Sequence, residues 1–375
     1  MRILIIHNQL WAHYKSKLFA EIYKSLKADF PGSELLVAQI APYERSRKGM
    51  IPTQGYTYDY PYKLLFDQCL EEIPFFSRLI TLLKQFHKFK PSVINITGYF
   101  DWAQVFMLFY ARMWGVKVVL SSESSSDDHS RSVIKESIKR IIVNSANAYF
   151  CFGSSSAHYL ESLGVKNERI TVKNAAVIDD EIIRYKYRIA RSVNAPRNPT
   201  FIYVGRLSEE KNLKLLMNAF VTISSQVNPK PILRIVGSGP QEEALKLHGS
   251  QHEHIIFEGS YPWYEIPNLL AISDVLVLPS NSEPWGLVVN EAMVCSMPVI
   301  VSNKCGCAPD LVKEGINGYT FDPQDQEALE KHLISFIHDP NQIHSMGKAS
   351  EEIIKPFSAR IVADNMVATY NHLSK

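Results

Sequence analysis

The sequence predicts an α/β protein built from two doubly wound parallel-sheet domains, and three observations carry that expectation. Short β-rich runs alternate with longer amphipathic segments along nearly the whole chain. Most of those runs are continuously apolar rather than alternating, as strands covered on both faces must be. The chain has 375 residues, enough for two domains at roughly 100 to 200 residues each.

In the first half, strand-like runs fall at residues 2–7, 34–40, 92–97, 117–122, 148–152 and 170–173. Helical patterns lie between them at 17–29, 75–89, 101–114, 131–146 and 154–163. Residues 178–199 lose their periodicity partway and end in Ala195, Pro196, Arg197, Asn198 and Pro199, the composition of a linker. Strand-like runs resume at 200–204, 232–236, 255–257, 275–278, 299–301 and 318–321. The expected domains are therefore 1–177 and 200–355, joined by a linker over 178–199 and facing a cleft. A terminal segment, 356–375, follows Pro356 and carries a helical pattern able to cross back onto the first domain. Residues 41–61 form a long loop with Tyr43, Tyr56, Tyr58 and Tyr60 beside Arg45, Arg47 and Lys48. It is too aromatic for plain disorder and is expected on the acceptor side of a site.

The 40 Lys and Arg nearly balance 38 Asp and Glu, leaving +2, which argues against a nucleic-acid partner. The balance hides a polarity: residues 1–177 hold 22 basic and 15 acidic side chains, the remainder 18 and 23. Five cysteines are too few for a disulfide scaffold, and Cys305 and Cys307 fit neither zinc nor redox spacing. No apolar run approaches the ~18 residues of a spanning helix. The run 3–6 is too short for a signal-peptide core. The expected location is cytoplasmic, including the inner membrane face.

The chemistry concentrates after three second-half strands. The segment from Ser282 to Glu291 opens a helix at Gly286 or Leu287, whose unpaired N–H groups suit a phosphate. Glu283 precedes that helix, and Glu291 lies about 6 Å beyond Leu287 along the axis. Two carboxylates so spaced suit polyol groups on either side of a phosphate; the plainer reading is a helix-start acid and a solvated charge. After strand 200–204, Arg206 and Lys211 flank a loop at the edge where such sheets bind ligands. Gly237, Ser238, Gly239 and Pro240 follow the next strand, a Gly-x-Gly without the full dinucleotide pattern.

Together these loops resemble the donor half of the retaining GT-B glycosyltransferases of family 4, whose paired glutamates match Glu283 and Glu291. Residues 298–302, 315–318 and 322–323 continue the likeness. The resemblance implies two Rossmann-like domains and a nucleotide-sugar donor held by the second, a UDP-sugar ahead of a GDP-sugar. Arg206 and Lys211 would neutralise the diphosphate as it departs, so no metal and no other cofactor is expected. Glu283 would hold donor-sugar hydroxyls and act catalytically. Gly205, Gly237 and the backbone of Gly286, Leu287 and Val288 would meet sugar and phosphate, and Glu291 the ribose.

The first domain matches the family mainly in architecture. It lacks the first-loop glycine pair, having His7, Asn8 and Gln9 there, and carries Glu123 and Ser124 where many members have a His. A subset with Glu-Ser at that strand end, then Asp, Arg and a Lys-rich helix, is closer, matching Asp127, Asp128, Arg131 and Lys135. Glu123 is the expected catalytic group there, orienting the acceptor or taking its proton; a loop acid is its plainer reading. Asn8, His13, His129 and Arg131 are acceptor-side candidates, the two histidines fitting packing or surface roles as well. The implied reaction is retaining transfer of a hexosyl group to a hydroxyl of a glycan, lipid-linked or small-molecule acceptor, as in polysaccharide synthesis.

The helix at 75–90 carries an apolar stripe with basic flanks and is able to lie on an anionic bilayer, or simply to pack with a solvated edge. Two other functions stay open: a GT-B-like nucleotide-sugar epimerase, and a non-catalytic sugar-nucleotide-binding protein.

Overall fold

The structure, a computed structural model, describes the chain except residues 46–56, 124–132 and 194–197. It divides into two compact units, 1–179 with 357–375, and 180–356.

The first unit is built on a seven-stranded parallel sheet. Its strands are β1 (Arg2–Gln9), β2 (Glu34–Ala41), β3 (Tyr62–Leu64), β4 (Val93–Thr97), β5 (Lys117–Ser122), β6 (Ala148–Cys151) and β7 (Ile170–Val172). They lie in the order β3-β2-β1-β4-β5-β6-β7, so the chain reverses direction across the sheet between β1 and β4. The helices are α1 (His13–Asp29), α2 (Phe75–Phe89), α3 (Trp102–Met113), α4 (Val133–Asn144) and α5 (Ser154–Ser162). Ile3, Leu4, Ile5 and Ile6 are all fully buried, which explains why β1 reads as a continuous apolar run.

The chain begins its second unit with α6 (Asp180–Val193). This corrects the linker expected over 178–199, most of which is helix. Ile183, Tyr187 and Arg191 recur at helical spacing, and Ile183 is buried. Six of the helix's residues are charged, and they mask that stripe in the sequence. α6 packs on α9 (Ile266–Ala271), where Arg191 Nη1 donates to the carbonyls of Ala271 and Ser273 at 3.0 and 2.9 Å. These are carbonyls at and just beyond the end of α9, where the helix leaves acceptors unpaired.

The second sheet has six parallel strands: β8 (Thr200–Val204), β9 (Ile232–Val236), β10 (Ile255–Gly259), β11 (Val275–Leu278), β12 (Val299–Ser302) and β13 (Gly318–Phe321). Their order is β10-β9-β8-β11-β12-β13. The remaining helices of this unit are α7 (Leu213–Ser224), α8 (Glu242–Gly249), α10 (Leu287–Val294), α11 (Ala308–Leu311), α12 (Gln326–His338) and α13 (Asn341–Ile354). Both units are thus doubly wound Rossmann-like α/β structures, as the apolar strand pattern predicts.

After Pro356 the chain returns to the first unit as α14 (Ala359–Ser374), capped by Ser358 and packed on α1. Tyr370 is fully buried there; its hydroxyl accepts from Asn95 Nδ2 at 2.7 Å and its ring meets Phe150 edge-on at 5.5 Å. Among the described residues no helix is long and apolar enough to cross a membrane.

Candidate active site

In the second unit four strand-to-helix loops are sutured backbone to backbone. Gly237 sits at φ +138°, and a Cβ there would stand 1.8 Å from the Gly205 carbonyl oxygen. A Cβ on Gly239 would stand 2.4 Å from the Leu207 carbonyl oxygen. Leu207 N donates to Ser238 O at 2.9 Å, and Gln241 N to Leu207 O at 2.9 Å. The Gly-x-Gly of this chain therefore serves first to let the loops after β8 and β9 touch. The buried Tyr203 hydroxyl donates to the Arg206 carbonyl at 2.9 Å, fixing the turn that presents the exposed Arg206 side chain.

Lys211 ends a short helical turn, and Asn212 follows at φ +54°, its side chain donating to the Pro323 carbonyl at 2.8 Å. That turn directs Lys211 Nζ onto Glu283 Oε2 at 2.6 Å, with both side chains under one-fifth exposed. Two residues that the sequence placed in separate motifs therefore form one ion pair. The Glu283 loop is held in turn by the loop after β12: Gly306 N donates to Glu283 O at 2.8 Å. A Cβ on Gly306 would stand 2.0 Å from the Pro284 carbonyl oxygen, so only glycine fits. Sequence reading passed over Gly306 between its two cysteines, although a glycine after an apolar strand was the available signal. Cys305 and Cys307 are buried free thiols packed in this same loop.

Gly286, at φ +95°, is the N-cap of α10, and no side chain caps that helix. The amides of Leu287 and Val288 have no acceptor within the helix, and they face the end where the dipole is positive. Trp285 Nε1 donates to Asn290 Oδ1 at 2.9 Å, tying the loop to the buried first turn. Glu291 lies one turn further on. Among the described residues no ion pair involves it, and burial pushes its carboxyl up to about 8. The two glutamates are thus in opposite states: Glu283 neutralised by a lysine, Glu291 desolvated without a cation. No cluster of three or more metal-ligating side chains occurs among the described residues.

The first unit brings together a different set. Lys15, on α1, is nearly buried and pairs with Glu123 Oε1 at 2.6 Å at the end of β5; Glu123 itself is 47% exposed. Lys15 Nζ also stands 4.4 Å over the Phe152 ring. A small pocket beneath is lined by Lys15, Asn95, Thr97, Ser121, Phe152 and Met366 among others. Its strand-side lining comes from the ends of β4, β5 and β6, between the sheet and the helices α1 and α14. His7 is buried, 3.0 Å from Gln39 Oε1, and burial with the nearby Lys15 charge lowers it to about 4. Lys15 is the functional candidate that sequence reading missed, since nothing marks one lysine in an amphipathic helix.

Asn8 accepts from Gln104 Nε2 at 2.5 Å, which fastens β1 to α3. His13 starts α1, and burial lowers it to about 3, so it is a neutral ring at physiological pH. His129 and Arg131, with Ser124, Asp127 and Asp128, lie outside the described residues, as do Arg47, Lys48 and Tyr56. Tyr60 of the long loop is core: its hydroxyl accepts from Gln39 Nε2 at 3.2 Å.

Residues 188–353, almost all of the second unit, match the family model of glycosyl transferases group 1. The sulfoquinovosyl transferase SQD2 of Arabidopsis thaliana is 34% identical over 177 residues, covering 46% of this chain and 33% of that protein. The GDP-mannose-dependent alpha-(1-6)-phosphatidylinositol monomannoside mannosyltransferase of Mycolicibacterium smegmatis is 31% identical over 161 residues, 40% of this chain and 42% of that one. The chain thus spans less than half the length of these curated relatives. Among solved structures, Anabaena Alr3699/HepE in complex with UDP superposes with a TM-score of 0.73 at 19% identity, covering 99% of this chain and 100% of that one. The whole chain shares the two-domain GT-B fold with that structure, and its second unit carries the sequence likeness to glycosyl transferases group 1.

Proposed function

We propose that the chain is a retaining glycosyltransferase of the family 4 type, moving a sugar from a nucleotide-sugar donor to an acceptor hydroxyl without a metal. The observation that carries this reading is the Lys211–Glu283 pair beside the uncapped start of α10, on one strand edge with Arg206. Arg206 and Lys211 meet the diphosphate and hold the charge that grows on it as the glycosidic bond breaks. The Leu287 and Val288 amides donate to phosphate and sugar. Glu283, already ion-paired, accepts from donor-sugar hydroxyls, and Glu291 accepts from the ribose. With Lys211 and Arg206 supplying positive charge, the diphosphate needs no divalent ion.

The HepE structure contains UDP, whereas the mycobacterial relative is named for GDP-mannose. We place a UDP-sugar first. On the first unit, Glu123 orients the acceptor hydroxyl, with Lys15 setting its position. The acceptor is a glycan, a lipid-linked sugar or a small molecule, met in the cytoplasm or at the inner membrane face.

The test is thermal stabilisation by UDP, GDP, ADP and their sugars, followed by product analysis with the best donor. A transferred sugar keeping the donor's anomeric configuration supports the reading, and an inverted product overturns retention. A rearranged free sugar formed without acceptor would make the chain an epimerase. Stabilisation without turnover would make it a binding protein.

A further inference from the structure

We propose that the first unit docks on an anionic lipid bilayer through the outer face of α2 and α3. The inference deepens the membrane-face option of the reading above by naming the surface. On α3, Trp102, Phe106, Phe109 and Met113 are exposed at spacings of four, three and four, a single stripe along the helix. Trp102 is 61% exposed and Met113 81%. The opposite face, with Ala103, Met107 and Leu108, is already buried, so the core does not need this stripe. On α2 the outward residues are Phe76, 72% exposed, and Ile80, while Leu79, Leu82 and Phe86 face inward.

The two helices are fastened side by side. Arg78 Nη1 meets Asp101 Oδ2 at 3.3 Å near their starts, and His87 Nε2 lies 2.7 Å from the Tyr110 hydroxyl near their ends. Their apolar stripes consequently form one surface. Such a surface is larger than scattered exposed side chains and calls for an occupant.

Charge selects the occupant. Residues 75–117 contain Arg78, Lys84, Lys88, Lys90, Arg112 and Lys117 against the single acid Asp101. Asp101 is nearly buried and neutralised by Arg78. Lys84, Lys88 and Lys90 are exposed on the C-terminal half of α2 and just past it, at the rim of the aromatic stripe. Tryptophan and phenylalanine bordered by lysine suit the layer between headgroups and acyl chains. A second copy of this chain would bring equal positive charge against this face and be repelled.

The experiment is co-sedimentation of the full chain with vesicles of phosphatidylcholine alone, or of phosphatidylcholine and phosphatidylglycerol in equal parts. Binding is expected to the anionic vesicles, with weakening as salt rises. The triple variant Trp102→Ser, Phe106→Ser, Met113→Ser should bind at least about tenfold less. The pair Lys84→Glu, Lys88→Glu should lose at least about tenfold, with the loss disappearing at high salt. Every substituted side chain is exposed, and a circular-dichroism melt checks that the variants fold. Failure to bind anionic vesicles, equal binding by the triple variant, or a dimer in sedimentation that the triple variant abolishes would overturn the proposal. Stabilisation by UDP, GDP, ADP and their sugars is measured on the same samples. If it persists while vesicle binding fails, the docking surface alone is wrong; if it fails in the parent chain, the transferase reading is wrong.

Discussion

Each sheet ends in a lysine–glutamate pair at 2.6 Å, but the two pairs are built differently. Lys211 and Glu283 sit on loops locked by glycines at Gly237, Gly239 and Gly306, where a Cβ would collide with backbone. Lys15 and Glu123 sit on a helix and a strand end, with Lys15 nearly buried and Glu123 half exposed. The second unit spends backbone geometry on its site, whereas the first relies on side chains that can be exchanged. On the proposed function, this is the difference expected between a part that recognises a constant phosphate and one that meets a variable partner. It also accounts for the strong motif match of residues 188–353 beside a first unit that matches in architecture alone.

The contrast can be broken most severely at Gly237. Gly237→Ala meets both a positive φ and a carbonyl oxygen 1.8 Å away. It should destabilise the second unit by about 4 kcal/mol, read as a lowered denaturation midpoint. Among the described glycines Gly32, Gly98, Gly115 and Gly164 of the first unit, an added Cβ meets no backbone, so alanine there should cost far less.

Next in size is Lys211→Ala, which should lower kcat/KM for sugar transfer by about 10²- to 10³-fold while the fold persists. Native-rate transfer by this variant would sink the donor assignment. Glu283→Ala combined with it should cost less than the product of the single losses, because the two side chains act as one unit.

A smaller effect separates Glu283 from Glu291. The Glu291 carboxyl titrates near 8 in the folded chain, against an ordinary value of 4.5. The folded state thus keeps its proton where the unfolded chain releases it, and ionising the group costs stability. That cost is absent below the unfolded value, grows between about pH 4.5 and 8, and is complete above. Parent stability should fall relative to Glu291→Gln across this window, by roughly 2 kcal/mol, since part of the carboxyl touches water. Urea titrations at both ends of the window test it; a difference independent of pH would contradict it.

The smallest effect belongs to the first unit. Lys15→Met removes the charge that, after burial, depresses His7. His7 should titrate higher in an NMR titration, while staying below the ordinary imidazole value because burial persists. On the proposed function, the acceptor KM should rise about tenfold with little change in donor KM.

Much of the fold was legible because strands such as 3–6 and 275–278 are apolar without interruption, which only burial on both faces explains. α6 was not, because its packed stripe is interrupted by charges, of which Arg184, Lys186 and Arg191 find partners only in the folded unit. The second-unit loops were legible as residue types: Glu283, Glu291, Arg206, Lys211 and the glycines all stand in short motifs. The pairing of Lys211 with Glu283 joins residues 72 apart in sequence, and that of Asn95 with Tyr370 residues 275 apart, so no local pattern announces either. The α3 stripe was equally silent, since Phe106 and Met107 look alike until packing buries one and leaves the other outside.

What the sequence determined by itself was the alternation of strand and helix, the two-domain count, and the chemistry available at each loop. These depend on hydrophobic periodicity and on glycine's freedom, both of which are local. Only the tertiary structure decided which charges neutralise one another, which carboxyl is left desolvated, which aromatic residues face water, and that the last helix belongs to the first unit. Those outcomes depend on distances between segments remote along the chain, which packing alone sets.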